Sequence, residues 1–231
     1  LDRFDQRDGS RFQISDQAKK EIQKYTEYWK GRNVFDTTMS LLSKETKEAM
    51  DALVFTCGYT LSKGCGHWLV NLENVLQGGF FSLEQKAKAK LAECDYTSST
   101  GVDDIPFYQS LIITCQAVKR FAERYAILAE ELAEQTDGIR RQELKKIAKI
   151  CKKVPYYAPE SFYEAVQTVY FIQLITQIES DGTGISMGRL DYLLYPFYKA
   201  DMEKGIYTEE EALELIEERF KLKLPEDEAG F

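Results

Sequence analysis

Two short stretches carry residue types from which a polar small-molecule site can be built. The first is Gly58-Tyr59-Thr60 followed by Gly64-Cys65-Gly66-His67-Trp68. His67 is the only histidine in the chain. An imidazole titrates near neutral pH, so it can donate to, or protonate, a substrate hydroxyl. Glycines on both sides let backbone and ligand approach closely. A histidine hydrogen-bonded in a core, with the glycines serving turns, accounts for the same residues. The second stretch runs from Glu179 to Asp191 and contains Ser180-Asp181-Gly182-Thr183-Gly184-Ile185-Ser186-Met187-Gly188-Arg189. Loops on rigid apolar elements are common sites of binding residues. Its glycines do not match a phosphate loop, because no Gly-Lys-Ser/Thr is present and no strand precedes it. The competing reading is a tight turn with Arg189 paired to Asp191 or to Glu179. Cys65 stands beside Gly66-His67, but the third, orienting group of a Cys–His nucleophile is not identifiable. It reads as core or pocket wall. The aromatic cluster Tyr192, Tyr195, Pro196, Phe197, Tyr198 reads as packing.

The elements that must position these residues are mostly helical. Residues 16–28 read as a polar helix with Ser15 as N-cap. Residues 43–63 mix apolar and charged positions at helical spacing. Ser82 and Gln85 read as a capping box opening a helix to about Cys94. Asp95 to Asp104 reads as loop. A long helix is expected from about Pro106 to Gln135, burying Leu111, Cys115, Val118, Phe121, Tyr125, Leu128 and Leu132 as one stripe. A further helix over 139–152 ends at Val154-Pro155, since proline lacks the amide donor. Ser161 with Glu164, and Thr208 with Glu211, form two more capping boxes. The helix behind Ser161 is apolar nearly all round and is expected to be deeply buried. Glu209, Glu210 and Glu211 suit the positive end of the last helix dipole. Strand candidates are residues 68–72 and 184–188.

The chain has 231 residues and a net charge of −8. That length allows one large domain or two small ones. The charge gives no basic footprint for nucleic acid and argues against an anionic membrane surface. No apolar run approaches a bilayer span. Five dispersed cysteines fit reduced cytosolic thiols better than a disulfide framework. One histidine and no Cys-x-x-Cys give a metal site little support. The start at Leu1 reads as lying downstream of a natural N-terminus, with no signal peptide.

Several stretches together resemble the glycyl radical enzymes, the pyruvate formate-lyase-like family. They are Tyr28-Trp29-Lys30-Gly31-Arg32; Gly66-His67 with Asn71-Leu72-Glu73-Asn74-Val75-Leu76; Phe121-Ala122-Glu123-Arg124-Tyr125; Cys151 to Pro155 with Pro159-Glu160-Ser161-Phe162-Tyr163-Glu164-Ala165-Val166-Gln167; and Gly188-Arg189-Leu190-Asp191 with Leu194-Tyr195-Pro196-Phe197-Tyr198. The resemblance implies a fold class that is mainly α in this segment, a partial piece of the family's ten-stranded α/β barrel. Residues 1–223 would be the N-terminal part of the family domain, and 224–231 a divergent tail. It implies a fragment of a lyase or dehydratase acting on a small hydroxylated substrate by radical elimination. An acyltransferase, a decarboxylase or a catalytically inert fragment are the alternatives. No cofactor would be bound directly. A radical-SAM activating enzyme would install a glycyl radical on the C-terminal part, beyond residue 231, and the thiyl cysteine would lie there too. A homodimer in an anaerobic cytoplasm is implied for the intact protein. By the same resemblance, His67 touches the substrate's leaving or neighbouring polar group, as in the glycerol/propanediol and hydroxyproline dehydratases; the choline-lyase branch has an acidic residue there. Tyr59 falls where a pocket aromatic occurs. Thr183 or Ser186 would contact substrate, with Gly184 and Met187 departing from the usual pattern. Arg189 and Asp191 would brace the loop.

Overall fold

A computed structural model describes residues 14–56, 68–180 and 184–220. The chain divides into two compact units, Leu1–Gly66 and His67–Phe231.

In the first unit, α1 (Asp16–Trp29) is capped as expected, the Ser15 Oγ accepting from the Ala18 N–H at 3.2 Å. A second helix, α2 (Val34–Leu41), has no counterpart in the sequence reading. Asn33 starts it: its Oδ1 accepts from the Asp36 N–H at 2.8 Å, while the Asp36 carboxylate accepts from the Asn33 amide at 2.6 Å and the Gly31 N–H at 2.7 Å. The helix expected over 43–63 is corrected. α3 (Lys44–Asp51) ends early because Leu53 adopts φ +57°. The N–H groups of Leu53 and Val54 turn back to the carbonyls of Met50 and Ala49, so the last orphan acceptors are satisfied without further helix. Residues 57–63 lie outside the described residues.

The second unit holds the core. The strand expected over 68–72 shrinks to β1 (Trp68–Leu69), because Asn71 caps a helix and Leu72 is already in it. That helix, α4 (Leu72–Glu93), corrects the capping box placed at Ser82. The break lies three residues earlier, at Gly79 with φ +65° and ψ 175°. The amides freed by the break do not need a side-chain cap. Phe80 N–H donates to the Pro155 carbonyl at 3.1 Å and Phe81 N–H to the Tyr156 carbonyl at 2.7 Å.

The loop expected over 95–104 is half helix. α5 (Ser99–Glu134) starts seven residues before Pro106, capped by the Ser98 Oγ accepting from the Gly101 N–H at 2.9 Å. The Ser/Thr/Gly composition is that of a cap: Asp95 Oδ1 also accepts from the Thr97 N–H at 2.8 Å, closing the turn before it. Pro106 sits within the second turn of α5 and ends nothing. The buried stripe is corrected as well. Cys115 and Val118 are buried, but the row then continues through Ala122, Ala126, Ala129 and Ala133. Leu111, Tyr125, Leu128 and Leu132 are exposed by 38–48 %. Alanines form the seam because α6 (Gly138–Lys153) packs close along α5, with Leu144, Ala148 and Cys151 facing the small residues. Long side chains flank such a seam rather than fill it.

α7 (Phe162–Ser180) is the buried helix that the sequence implies. Phe162, Ala165, Val166, Val169 and Ile172 pack against Leu72, Val75 and Leu76 of α4. Leu194 of α8 (Leu190–Glu203) and Ala212 of α9 (Glu209–Phe220) close that core. Burying each large side chain stabilises by about 1.5–3 kcal/mol. The Thr208/Glu211 box forms in both directions, at 2.8 and 3.2 Å. β2 (Ile185–Ser186) falls within the expected extended piece. No helix among the described residues is long and apolar enough to cross a membrane.

Candidate functional site

The two candidate stretches lead into the two strands. β1 and β2 pair in parallel, Trp68 opposite Ile185 and Leu69 opposite Ser186. The pair is extended by the Val70 N–H donating to the Ser186 carbonyl at 3.4 Å. Neighbouring strands lie about 4.8 Å apart, so the ladder sets Trp68 and Leu69 directly beside Ile185 and Ser186. In a parallel pair both segments also enter from the same end. In the sequence His67 is joined to Trp68, and Thr183 stands two positions before Ile185, the first residue of β2.

Each strand is anchored by its flanking segments. After β1, the chain turns through Val70, whose carbonyl accepts from the Leu72 N–H at 2.9 Å. Leu72, only 1 % exposed, then fixes that turn to the core. β2 lies between the buried α7 and α8. Gly188 has φ +70°, a conformation that favours glycine, and it lies against the Leu69 side chain. Met187 and Leu190 pack on the main core. Arg189 grips Asp191 through two bonds, Nε to Oδ1 at 2.8 Å and a terminal nitrogen to Oδ2 at 2.6 Å. This fork holds the Asp191 carboxyl down at about 2. Both residues are exposed and paired with each other. At the far end of the two helices the buried Asp201 of α8 accepts from the Phe162 N–H of α7 at 2.8 Å.

Ser186 is exposed, on the open side of the ladder with Leu69. Its Oγ accepts from the Gly188 N–H at 3.3 Å. A hydroxyl that accepts from the backbone keeps its own proton to donate to an oxygen. His67, Tyr59 and Thr183 lie outside the described residues. So does Cys65, while Cys115 and Cys151 are buried and Cys94 is half-buried. Burial pushes the Cys115 thiol up, with the nearby Glu84 carboxylate adding to it.

Sequence reasoning missed a second polar cluster, in the second half of α4. The buried Glu84 carboxylate of α4 meets the Lys88 ammonium at 2.6 Å and accepts from the Tyr156 hydroxyl at 3.0 Å. The Lys88 bond is the main reason why Glu84 stays below the usual glutamate range. Burial, then Glu84, pushes the Tyr156 phenol up to about 12. Together with the carbonyls of Pro155 and Tyr156 at the Gly79 break, this cluster ties the second half of α4, the helix that β1 leads into, to the segment at 155–156. No local signal points to it, since Glu84 and Tyr156 are 72 residues apart.

The chain matches the model of the pyruvate formate lyase-like family over residues 1–229. It is 38 % identical over 210 residues to isethionate sulfite-lyase of Bilophila wadsworthia, covering 87 % of this chain and 25 % of that enzyme. It is 34 % identical to (2S)-3-sulfopropanediol dehydratase of Klebsiella oxytoca, covering 94 % of this chain and 27 % of that one. A solved structure describing 1,2-propanediol dehydration in Roseburia inulinivorans superposes with a TM-score of 0.80 at 40 % identity, over 93 % of this chain and 26 % of its own. The chain thus spans about a quarter of the length of the relatives it matches. Lyases and dehydratases recur among these relatives, as the sequence implies. The chain belongs to the pyruvate formate lyase-like family, the glycyl radical enzymes.

Proposed function

We propose that this chain supplies part of the substrate pocket of a glycyl radical lyase, with dehydration of a small hydroxylated substrate as its reaction. The observation that supports this reading is the parallel β1–β2 ladder, with Trp68 opposite Ile185 and Leu69 opposite Ser186; in the sequence His67 directly precedes Trp68, and Thr183 lies just ahead of the segment that forms β2. In this proposal His67 hydrogen-bonds the departing hydroxyl and gives it a proton, which lowers the cost of expelling it. Ser186, with Thr183, donates to the neighbouring substrate oxygen, and Tyr59 supplies an apolar wall. No residue of this chain is assigned as the thiyl cysteine or the radical glycine; both belong to other parts of a longer polypeptide. A radical-SAM activating enzyme, a homodimer and an anaerobic cytoplasm complete the proposal. Residues 1–223 are assigned to the family domain and 224–231 to a divergent tail.

The test uses a polypeptide that also carries the thiyl and radical loops, activated anaerobically. The panel is propane-1,2-diol, glycerol, trans-4-hydroxy-L-proline, isethionate and 2,3-dihydroxypropane-1-sulfonate. The first three are the dehydratase substrates that the resemblance implies, and the sulfonates follow from the relatives' names. For the substrate turned over, His67→Ala lowers kcat/KM about 10²-fold or more while the glycyl radical signal is unchanged. Ser186→Ala acts mainly on KM. Unchanged turnover by His67→Ala with a normal radical signal overturns the assignment. Turnover of isethionate alone replaces dehydration by carbon–sulfur cleavage.

A further inference from the structure

The β1–β2 ladder has two unlike faces. Successive residues of a strand point to opposite sides of the sheet, and partners in register share a side. Val70 and Met187 pack on the main core, so their side is the one closed by helices. Leu69 and Ser186 are partners in register and share the other side, where Leu69 is 66 % exposed. A Cβ on Gly188 would stand 3.6 Å from the Leu69 Cδ2, so the backbone of the Gly188 turn sits against that side chain. The same turn donates its Gly188 N–H to the Ser186 Oγ at 3.3 Å, which leaves the hydroxyl proton to be donated outward. A single exposed leucine is ordinary. A leucine set beside such a hydroxyl supplies an apolar wall next to an orienting polar contact, the usual composition of a small-molecule site.

Building on the proposed lyase function and resting on it, we infer that Leu69 sets the substrate preference of this site. With Ser186 on a substrate oxygen, Leu69 packs on the alkyl group beside that oxygen. The preferred substrate is then a neutral alcohol with a methyl or methylene flank. A further hydroxyl against Leu69 would lose hydration without gaining a hydrogen bond. An anionic flank would lose more, and Arg189, the cation nearest to Ser186 in the sequence, is already held by Asp191 through two bonds. Propane-1,2-diol and glycerol differ only at this flank, a methyl group against a hydroxymethyl group. The competing role for Leu69 is packing against another part of the longer polypeptide.

The experiment compares kcat/KM for these two alcohols in a polypeptide that also carries the thiyl and radical loops, activated anaerobically, with the glycyl radical signal as the check on folding. The parent prefers propane-1,2-diol by about 10–100-fold. Leu69→Ser narrows that ratio at least about tenfold, mainly through KM for propane-1,2-diol, because the contact is made equally in the ground and transition states. Leu69→Met, apolar and close in volume, keeps the preference. Where Leu69→Ser forms no radical, Leu69→Val is read instead and narrows the ratio about fourfold, the worth of one methylene. Loss of the radical in both variants assigns Leu69 to packing within the polypeptide and overturns the inference. An unchanged ratio in Leu69→Ser with a normal radical signal overturns it too. A parent that prefers glycerol or isethionate to propane-1,2-diol sinks the inference but leaves the radical-lyase reading in place. A normal radical with turnover of none of the panel removes that reading, and this inference with it.

Discussion

At the scale of single residues, positions that fix the backbone outweigh those that look chemical. Gly79 is the clearest. A Cβ there would collide with the carbonyl oxygen of Tyr156 and lie 2.6 Å from the carbonyl carbon of Tyr157. Its φ of +65° is also unfavourable for an L side chain. Strain and overpacking add, so Gly79→Ala is expected to cost about 2–5 kcal/mol, read as a drop in the urea midpoint with unchanged slope. A loss below about 1 kcal/mol would mean that the backbone approach is not as close as it stands. Glu84 gives a prediction in pH. Its folded pKa is depressed, so its stabilisation is present above the usual glutamate pKa of about 4.3 and is lost as pH falls through the lower folded value. Glu84→Gln keeps an acceptor for Tyr156 but removes the charge facing Lys88. It should cost about 1–2 kcal/mol at neutral pH, the half-exposed Lys88 limiting the effect, and shrink the acid loss of stability below about pH 4.5. An unchanged acid limb in the variant would assign that loss to other carboxylates. Pairs close in sequence, such as Arg189 with Asp191, were legible from spacing alone. The Gly79 break and the Glu84–Tyr156 bond were not, because the groups that meet them lie in the segment at 154–158 and nothing local marks a distant carbonyl or phenol.

At the scale of elements, the sequence was legible where a boundary is made by its own neighbours. Ser15, Ser161 and Thr208 each cap the helix that their spacing announced. It misled where tertiary contact decides. On α5 the large residues drew the stripe, yet close packing of α6 selects alanines for the seam. The Ser/Thr/Gly run before Pro106 looked like loop because cap and loop share a composition. Asp201 is the contact at this scale with the most consequence for the candidate site. It ties the start of α7 to α8, 39 residues on, and the loop between those helices carries Ser186. Asp201→Ala leaves a buried N–H without its acceptor, a loss of about 1–3 kcal/mol. Hydrogen exchange separates two outcomes. Faster exchange at the Phe162 amide and at the Val70 amide, which bonds Ser186, means that the α7–α8 tie holds the ladder in register. Faster exchange at Phe162 alone confines Asp201 to capping.

At the scale of the whole molecule, the two units differ in how they are held. No residue of α1, α2 or α3 is buried, whereas α7 alone buries Phe162, Val166, Val169, Phe171 and Ile172. Helices of 8 residues, the length of α2 and α3, are marginal in water without a packed face. Their caps at Asn33 and Ser43 contribute on the order of 1 kcal/mol each, less than the entropy of ordering two turns. Residues buried in α7, by contrast, open only with the core they belong to. Amides of α1–α3 are therefore expected to exchange through local opening, insensitive to mutations such as Gly79→Ala, while those of α7 slow to the global limit and accelerate with that substitution. Mass-spectrometric hydrogen exchange on the 231-residue chain reads both at once. Equal protection in the two units, lost together in Gly79→Ala, would show one cooperative body and would require a packed partner for the exposed faces of Tyr25, Trp29 and Phe35. Separate behaviour would locate the stability of the β1–β2 ladder in the second unit alone.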